Sequence, residues 1–147
     1  MHSASWSKVV GFGLLLAAVG CGRYASKPEP SLYDRLGGKP AITAVVGDFL
    51  QVVGNDGRVR HQPAAERVPA LRGLLVDLVC QASGGPCVYG GRDMKAAHAG
   101  MGISPAEFEA VVDDLVKTLD HYKVPKREKQ ELLALLAPMR NDIVEAQ

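Results

Sequence analysis

The sequence predicts an all-α domain, on three observations. In every long segment the apolar residues recur at spacings of three and four, the period of one helix face. Glycines and prolines fall between those segments in the order that stops one helix and starts the next. No stretch alternates apolar and polar residues with period two, apart from an ambiguous Cys-Val-Tyr at 87–89.

The elements follow in order. Leu32, Tyr33 and Leu36 share one face of a short opening helix, which Gly37 and Gly38 end. Pro40 suits the first turn of the next helix, where its missing N–H costs no hydrogen bond. Over residues 41–53, Ile42, Val45, Val46, Phe49, Leu50 and Val53 make a broad apolar face, and Asn55, Asp56 and Gly57 stop it. Residues 58–69 show no clear period and read as a loop with at most one helical turn. A second long helix starts at Ala70, with Leu71, Leu74, Leu75, Leu78 and Val79 on one side, and ends at the glycine-proline run 84–86. Ser104 then serves as an N-cap, Pro105 as the first helical residue and Glu107 as the reciprocal capping-box acid. Phe108, Val111, Val112, Leu115, Val116 and Leu119 form the inward stripe of that helix, with Asp113 and Asp114 facing away. Pro125 opens a last helix with Leu132, Leu135, Leu136, Met139 and Ile143 inward. The expectation is four main helices with short extra turns.

Residues 1–20 read as a signal peptide of lipoprotein type. Lys8 gives a weakly basic start, and residues 9–19 form an uncharged apolar run, shorter than the roughly 20 residues that span a bilayer. The run ends in AVGC, small residues directly before Cys21. AVGC resembles a bacterial lipobox, which makes Cys21 the acylated N-terminus of an exported, membrane-anchored lipoprotein; ordinary secretion and an uncleaved anchor are the alternatives. Residues 21–30 then form a polar, turn-rich tether, and residues 31–147 one small domain. Seventeen Lys and Arg stand against sixteen Asp and Glu. That balance argues against nucleic acid as a partner.

With Cys21 assigned to lipid, Cys80 and Cys87 remain. Outside the cytoplasm they are either a disulfide, worth about 2.5 kcal/mol on a chain-entropy estimate, or two buried thiols. Neither C-x-x-C nor C-x-x-C-H occurs, so thiol-redox chemistry and covalent c-type attachment have no support. No Ser-His-Asp or paired-carboxylate arrangement suggests hydrolysis. Among the histidines, His98 sits in a short glycine-bounded piece, Met94 one turn before it and Met101 three residues after. A lone histidine there is more often a partly buried structural residue than a metal ligand, and the pattern alone favours the structural reading.

Further residues carry a family resemblance. SLYDRLGG at 31–38, AITAVVGDF at 41–49, GGP at 84–86, YGGRDM at 89–94, HAGMGI at 98–103 and the late VPKREKQELLALLAPMRNDIV occur in order. In them the chain is similar to the group I truncated haemoglobins over residues 31–144. The resemblance implies a two-over-two helical sandwich around haem b, with His98 the proximal iron ligand. It implies reversible binding of a diatomic gas (O2, CO or NO) for binding, transport or sensing. Phe49, Leu50, Leu71, Leu74, Leu75, Met94 and Met101 would form the haem pocket. Arg72, Arg92 and Lys95 flank it, Arg72 and Lys95 as possible propionate partners, unless they simply form a solvated basic face.

The other side of the haem departs from the family pattern. Where members place Phe-Tyr in the second helix, this chain has Phe49-Leu50. Leu75 falls where a polar residue is common, and the usual loop phenylalanine falls near Gln62 or Pro63. Leu50, Leu71, Leu74 and Leu75 offer no hydrogen-bond donor to bound oxygen. Such a bond contributes about 1–3 kcal/mol, so oxygen is expected to leave faster than from members keeping the tyrosine. His61, in the loop, reads as a solvated residue, with a hydrogen-bond donor or a sixth ligand as the alternatives. Two rival readings are a haem-dependent redox enzyme (NO detoxification or peroxidase-like) and a haem-free helical lipoprotein interaction module. Nothing in the sequence identifies a redox partner.

Overall fold

The computed structural model describes residues 28–145. The expected leader, Cys21 and most of the expected tether lie outside the described residues. Among the described residues every regular element is helical: α1 Leu32–Arg35, α2 Gly38–Asn55, α3 Val68–Ala82, α4 Met94–His98, α5 Pro105–His121, α6 Lys126–Leu136 and α7 Arg140–Ile143. Short 3-10 turns at Ala65–Arg67 and Ala137–Met139 precede α3 and α7. The Cys-Val-Tyr stretch forms no strand.

Local chemistry accounts for the helix ends. Ser31 caps α1: its Oγ accepts from the Asp34 N–H at 3.1 Å, and the Asp34 carboxylate accepts from the Ser31 N–H at 3.2 Å. The α2 helix starts at Gly38, earlier than residue 41, because Gly37 turns left-handed (φ 94°) and delivers Pro40 into the first turn. The last expected helix is broken in two. Pro138 has no N–H to donate, so α6 ends at Leu136 and α7 restarts after a tighter turn.

The α2 helix packs on both α3 and α5, α1 on α2 and α6, and α4 on α7. One buried cluster joins Ile42, Val46 and Leu50 of α2 to Val76 and Cys80 of α3. A second joins Leu32, Leu119 and Leu132, from α1, α5 and α6. Two leucines expected inward, Leu74 and Leu135, are exposed. In α3 the face toward α2 runs through Val76 and Cys80, with Leu71, Leu75 and Val79 packed against them, and Leu74 falls at the rim.

Asp114, expected to face solvent, is 1% exposed. Its Oδ1 takes the Lys117 ammonium at 3.0 Å and lies 3.5 Å from the Arg58 guanidinium, while Oδ2 has no partner. Arg58 reaches it from the loop after α2 and also binds Asp56, holding that carboxyl down to about 2. Cys80, at the end of α3, is joined to Cys87 by a disulfide. No helix among the described residues is long and apolar enough to cross a membrane.

Candidate functional site

The helices enclose a cavity of about 320 Å³, within the range of small-molecule and cofactor sites. Leu50 of α2 and Leu71 and Leu75 of α3 line one part of it; Phe108, Val111 and Leu115 of α5 line another. Met94 and His98 enter from α4, and Met101 and Ile103 from the segment after it. Among some thirty lining residues the titratable ones are His61, His98 and Glu107.

His98 closes α4, whose start is set by Asp93, its carboxylate accepting the Ala96 N–H at 2.8 Å. The His98 Nδ1 lies 2.8 Å from the Met94 carbonyl. A carbonyl only accepts, so Nδ1 carries the hydrogen and Nε2 of the neutral ring keeps its lone pair. That arrangement prepares an imidazole for a metal. Directly after it the chain turns through Gly100 (φ 77°) and Gly102 (φ 63°), conformations that a β-carbon disfavours. Their N–H groups donate to the two carboxylate oxygens of Glu145 at 2.6 and 2.7 Å. Those two N–H groups hold the Glu145 carboxyl below the ordinary range, against a smaller opposing effect of burial. The end of the described chain thereby fixes the turn beside His98.

A second carboxylate organises the loop after α2. Glu107 stands in the first turn of α5, and the Ser104 Oγ caps its N–H at 3.2 Å as expected. Its side chain does not return to the cap. Glu107 Oε1 instead accepts three hydrogens, from the N–H of Arg60, the N–H of His61 and the His61 Nδ1, each at 2.8 Å. Glu107 is buried; Oε2 has no hydrogen-bond partner, and the Arg60 guanidinium stands 3.6 Å from it. Burial pushes this carboxyl up, but the backbone N–H and ring of His61 and the N–H of Arg60 outweigh it, and the net direction is down.

The structure brings together most of the residues singled out from sequence. Phe49, Leu50, Leu71, Leu75, Met94, Met101 and His98 all line the cavity. Leu74 does not, being 38% exposed on the outer side of α3. Arg72 is not at the cavity either: its guanidinium crosses Gly47 and donates to the Thr43 carbonyl at 3.1 Å. Lys95 is exposed on α4, outside the lining, as is Arg92. His61, which the sequence reads as a solvated loop residue, is instead half-buried and lines the cavity, because Glu107 draws its ring and backbone inward. Sequence reasoning missed Glu107 and Glu145 as organisers, since both contacts span more than forty residues.

Comparison with known proteins agrees with this architecture. The family model described as "Bacterial-like globin" matches residues 31–145. A group 1 truncated haemoglobin of Mycolicibacterium paratuberculosis is 35% identical over 118 residues, 80% of this chain and 87% of that protein. The truncated haemoglobin of Tetrahymena pyriformis, solved in its Fe(III) form, superposes with a TM-score of 0.74 at 28% identity, covering 80% of this chain and all of that one. The 2/2 haemoglobin of a Synechococcus species, solved in the cyanomet state with covalently attached haem, gives 0.72 at 29% identity over 78% of this chain and 98% of its own. The helices thus form the two-over-two sandwich, and the chain belongs to the bacterial-like globin family, among the group 1 truncated haemoglobins.

Proposed function

We propose that the cavity binds haem b, that His98 is the proximal ligand of its iron, and that the protein reversibly binds a diatomic gas there. The observation that carries this is the Nδ1–H to Met94 carbonyl bond, which leaves the other imidazole nitrogen with its lone pair in a residue that lines a largely apolar cavity. Among the described residues no cluster of three or more His, Cys, Asp or Glu side chains could hold a bare metal ion. A single histidine ligand such as His98 would suit an iron whose other bonds are supplied by a macrocycle. No Lys or Arg lines the cavity.

When bound, the haem supplies the iron that takes the gas. The chain's residues do the rest. The Met94 carbonyl fixes the ring tautomer of His98, and Gly100, Gly102 and Glu145 fix the turn behind it. Leu50, Leu71 and Leu75 exclude water while offering no hydrogen bond. Adding ferric haem to the purified domain should give a Soret band, and reduction under carbon monoxide should shift it. His98→Ala should remove or greatly weaken that band; an unchanged band would overturn the assignment of His98.

We further propose that the protein is exported and anchored through acylated Cys21, the sequence before that residue being the basis. The Cys80–Cys87 disulfide supports an oxidising compartment. Cys21→Ser should move the protein from the membrane to the soluble fraction, and a protein that stays in place would remove this part of the reading.

A further inference from the structure

The leucine wall suggests a cavity without polar chemistry, yet His61 and Glu107 both line it. Their geometry fixes more than position. Glu107 Oε1 accepts the His61 Nδ1 hydrogen at 2.8 Å and also both backbone N–H groups that set the loop's course. The ring is therefore anchored at its Nδ1 edge, and with one proton on the ring Nε2 is a bare lone pair. A buried carboxylate behind an imidazole does two things. It orients the ring, and it stabilises the imidazolium that forms when Nε2 takes a proton. His61 is thus built as a base and offers no donor while neutral. The ring keeps 31% of its side-chain surface exposed, so small molecules reach it, while Glu107 is 4% exposed.

Resting on the haem reading above, we propose that the cavity also takes small weak acids, HX, such as hydrogen cyanide and hydrogen sulfide. His61 Nε2 accepts the proton and the H–X bond breaks with its electron pair left on X, which yields X⁻, the form that a ferric iron held by His98 would bind. Glu107 is the positioning residue: it holds the ring and offsets the new positive charge. The balance is HX plus neutral His61 giving X⁻ plus protonated His61, with no oxidant or reductant. Oxygen, carbon monoxide and nitric oxide bring no proton and draw nothing from this pair.

The test compares a protic with an aprotic ligand on the ferric, haem-loaded domain at neutral pH. Cyanide association should slow by about 100-fold in His61→Ala, the lower end of general-base effects, while nitric oxide association stays within about twofold. Glu107→Gln keeps an acceptor for Nδ1 but loses the charge, so its cyanide rate should fall between the two. Equal cyanide rates in parent and His61→Ala, or equal changes for both ligands, would overturn the proposal. So would a low-spin parent spectrum that turns high-spin in His61→Ala, since His61 would then be occupying the iron. A domain with no Soret band would instead remove the haem reading beneath it. Independently of haem, long-range proton–nitrogen NMR of the apoprotein should show His61 protonated at Nδ1; protonation at Nε2 alone would refute the orientation.

Discussion

On the His98 side of the cavity, Glu145 accepts the N–H groups of Gly100 and Gly102. On the His61 side, Glu107 accepts the N–H groups of Arg60 and His61, and the imidazole as well. Both carboxylates thus tie down a loop distant in sequence that carries or follows a histidine. They differ in what they fix. Glu145 holds backbone only and leaves the orientation of His98 to the Met94 carbonyl, a neutral acceptor. Glu107 holds backbone and ring together and puts a buried negative charge behind the imidazole. Either acceptor leaves the other ring nitrogen its lone pair, but only the charged one also offsets an imidazolium. The two walls therefore ask different chemistry of the same side chain.

The largest way to break this contrast is to give the leucine wall a donor of its own. Leu50 is buried in the α2 face and lines the cavity. On the haem reading, Leu50→Tyr adds a hydroxyl to the cavity wall as a donor for bound oxygen, and a hydrogen bond of about 1–3 kcal/mol corresponds to about 5- to 150-fold slower oxygen dissociation. Leu50→Phe supplies the ring without the hydroxyl. Stopped-flow oxygen release should slow in the tyrosine variant only. Equal rates for the two variants would mean that size, and not the missing donor, governs release at this wall.

The next effect concerns the stretch between α3 and α4, which leads to His98. The disulfide joins Cys80, buried at the end of α3, to Cys87 in the stretch leading toward α4. It closes a short loop, worth about 2.5 kcal/mol on the chain-entropy account. Replacing both cysteines by alanine should lower the melting temperature of the apodomain by about 10 °C for a domain of this size. The His61 loop, held by Glu107, should keep its NMR signature. If that signature is lost as well, the two walls are one cooperative unit.

Much of this was legible in the sequence, because helix periods and caps are local. The stripes of α2 and α5, the Ser104 cap and the histidine of α4 all follow from neighbours within a few turns. The failures occur where a residue answers to something distant. Glu107 satisfies the first half of a capping box through its N–H, but its carboxylate goes to a loop 46 residues away. Asp114 reads as solvent-facing until Arg58 arrives from the loop after α2. Arg72 and Lys95 read in sequence as possible propionate partners flanking the pocket, yet one is committed to the Thr43 carbonyl and the other is exposed on α4. Glu145 carried no sequence signal, since nothing local distinguishes it from any other carboxylate near the end of a helix.

The smallest effect, and the one that tests the comparison most directly, is at Glu145. Its folded-state pKa lies below its unfolded value because it accepts two backbone N–H bonds. The sign follows from linkage: the contribution is full above the ordinary glutamate value of about 4.3 and is lost as pH falls through the lower folded value. Glu145→Gln removes the charge at every pH. The variant should therefore be slightly less stable than the parent at neutral pH, and the difference should shrink on acidification below about pH 4. Haem transfer to an acceptor protein should quicken a few-fold by the same route, as the turn behind His98 loosens. Glu107→Gln should show the same pH trend in stability but move the environment of His61 rather than that of His98. If instead Glu145→Gln alters the His61 ring signals, or Glu107→Gln alters those of His98, the two carboxylates do not govern separate walls.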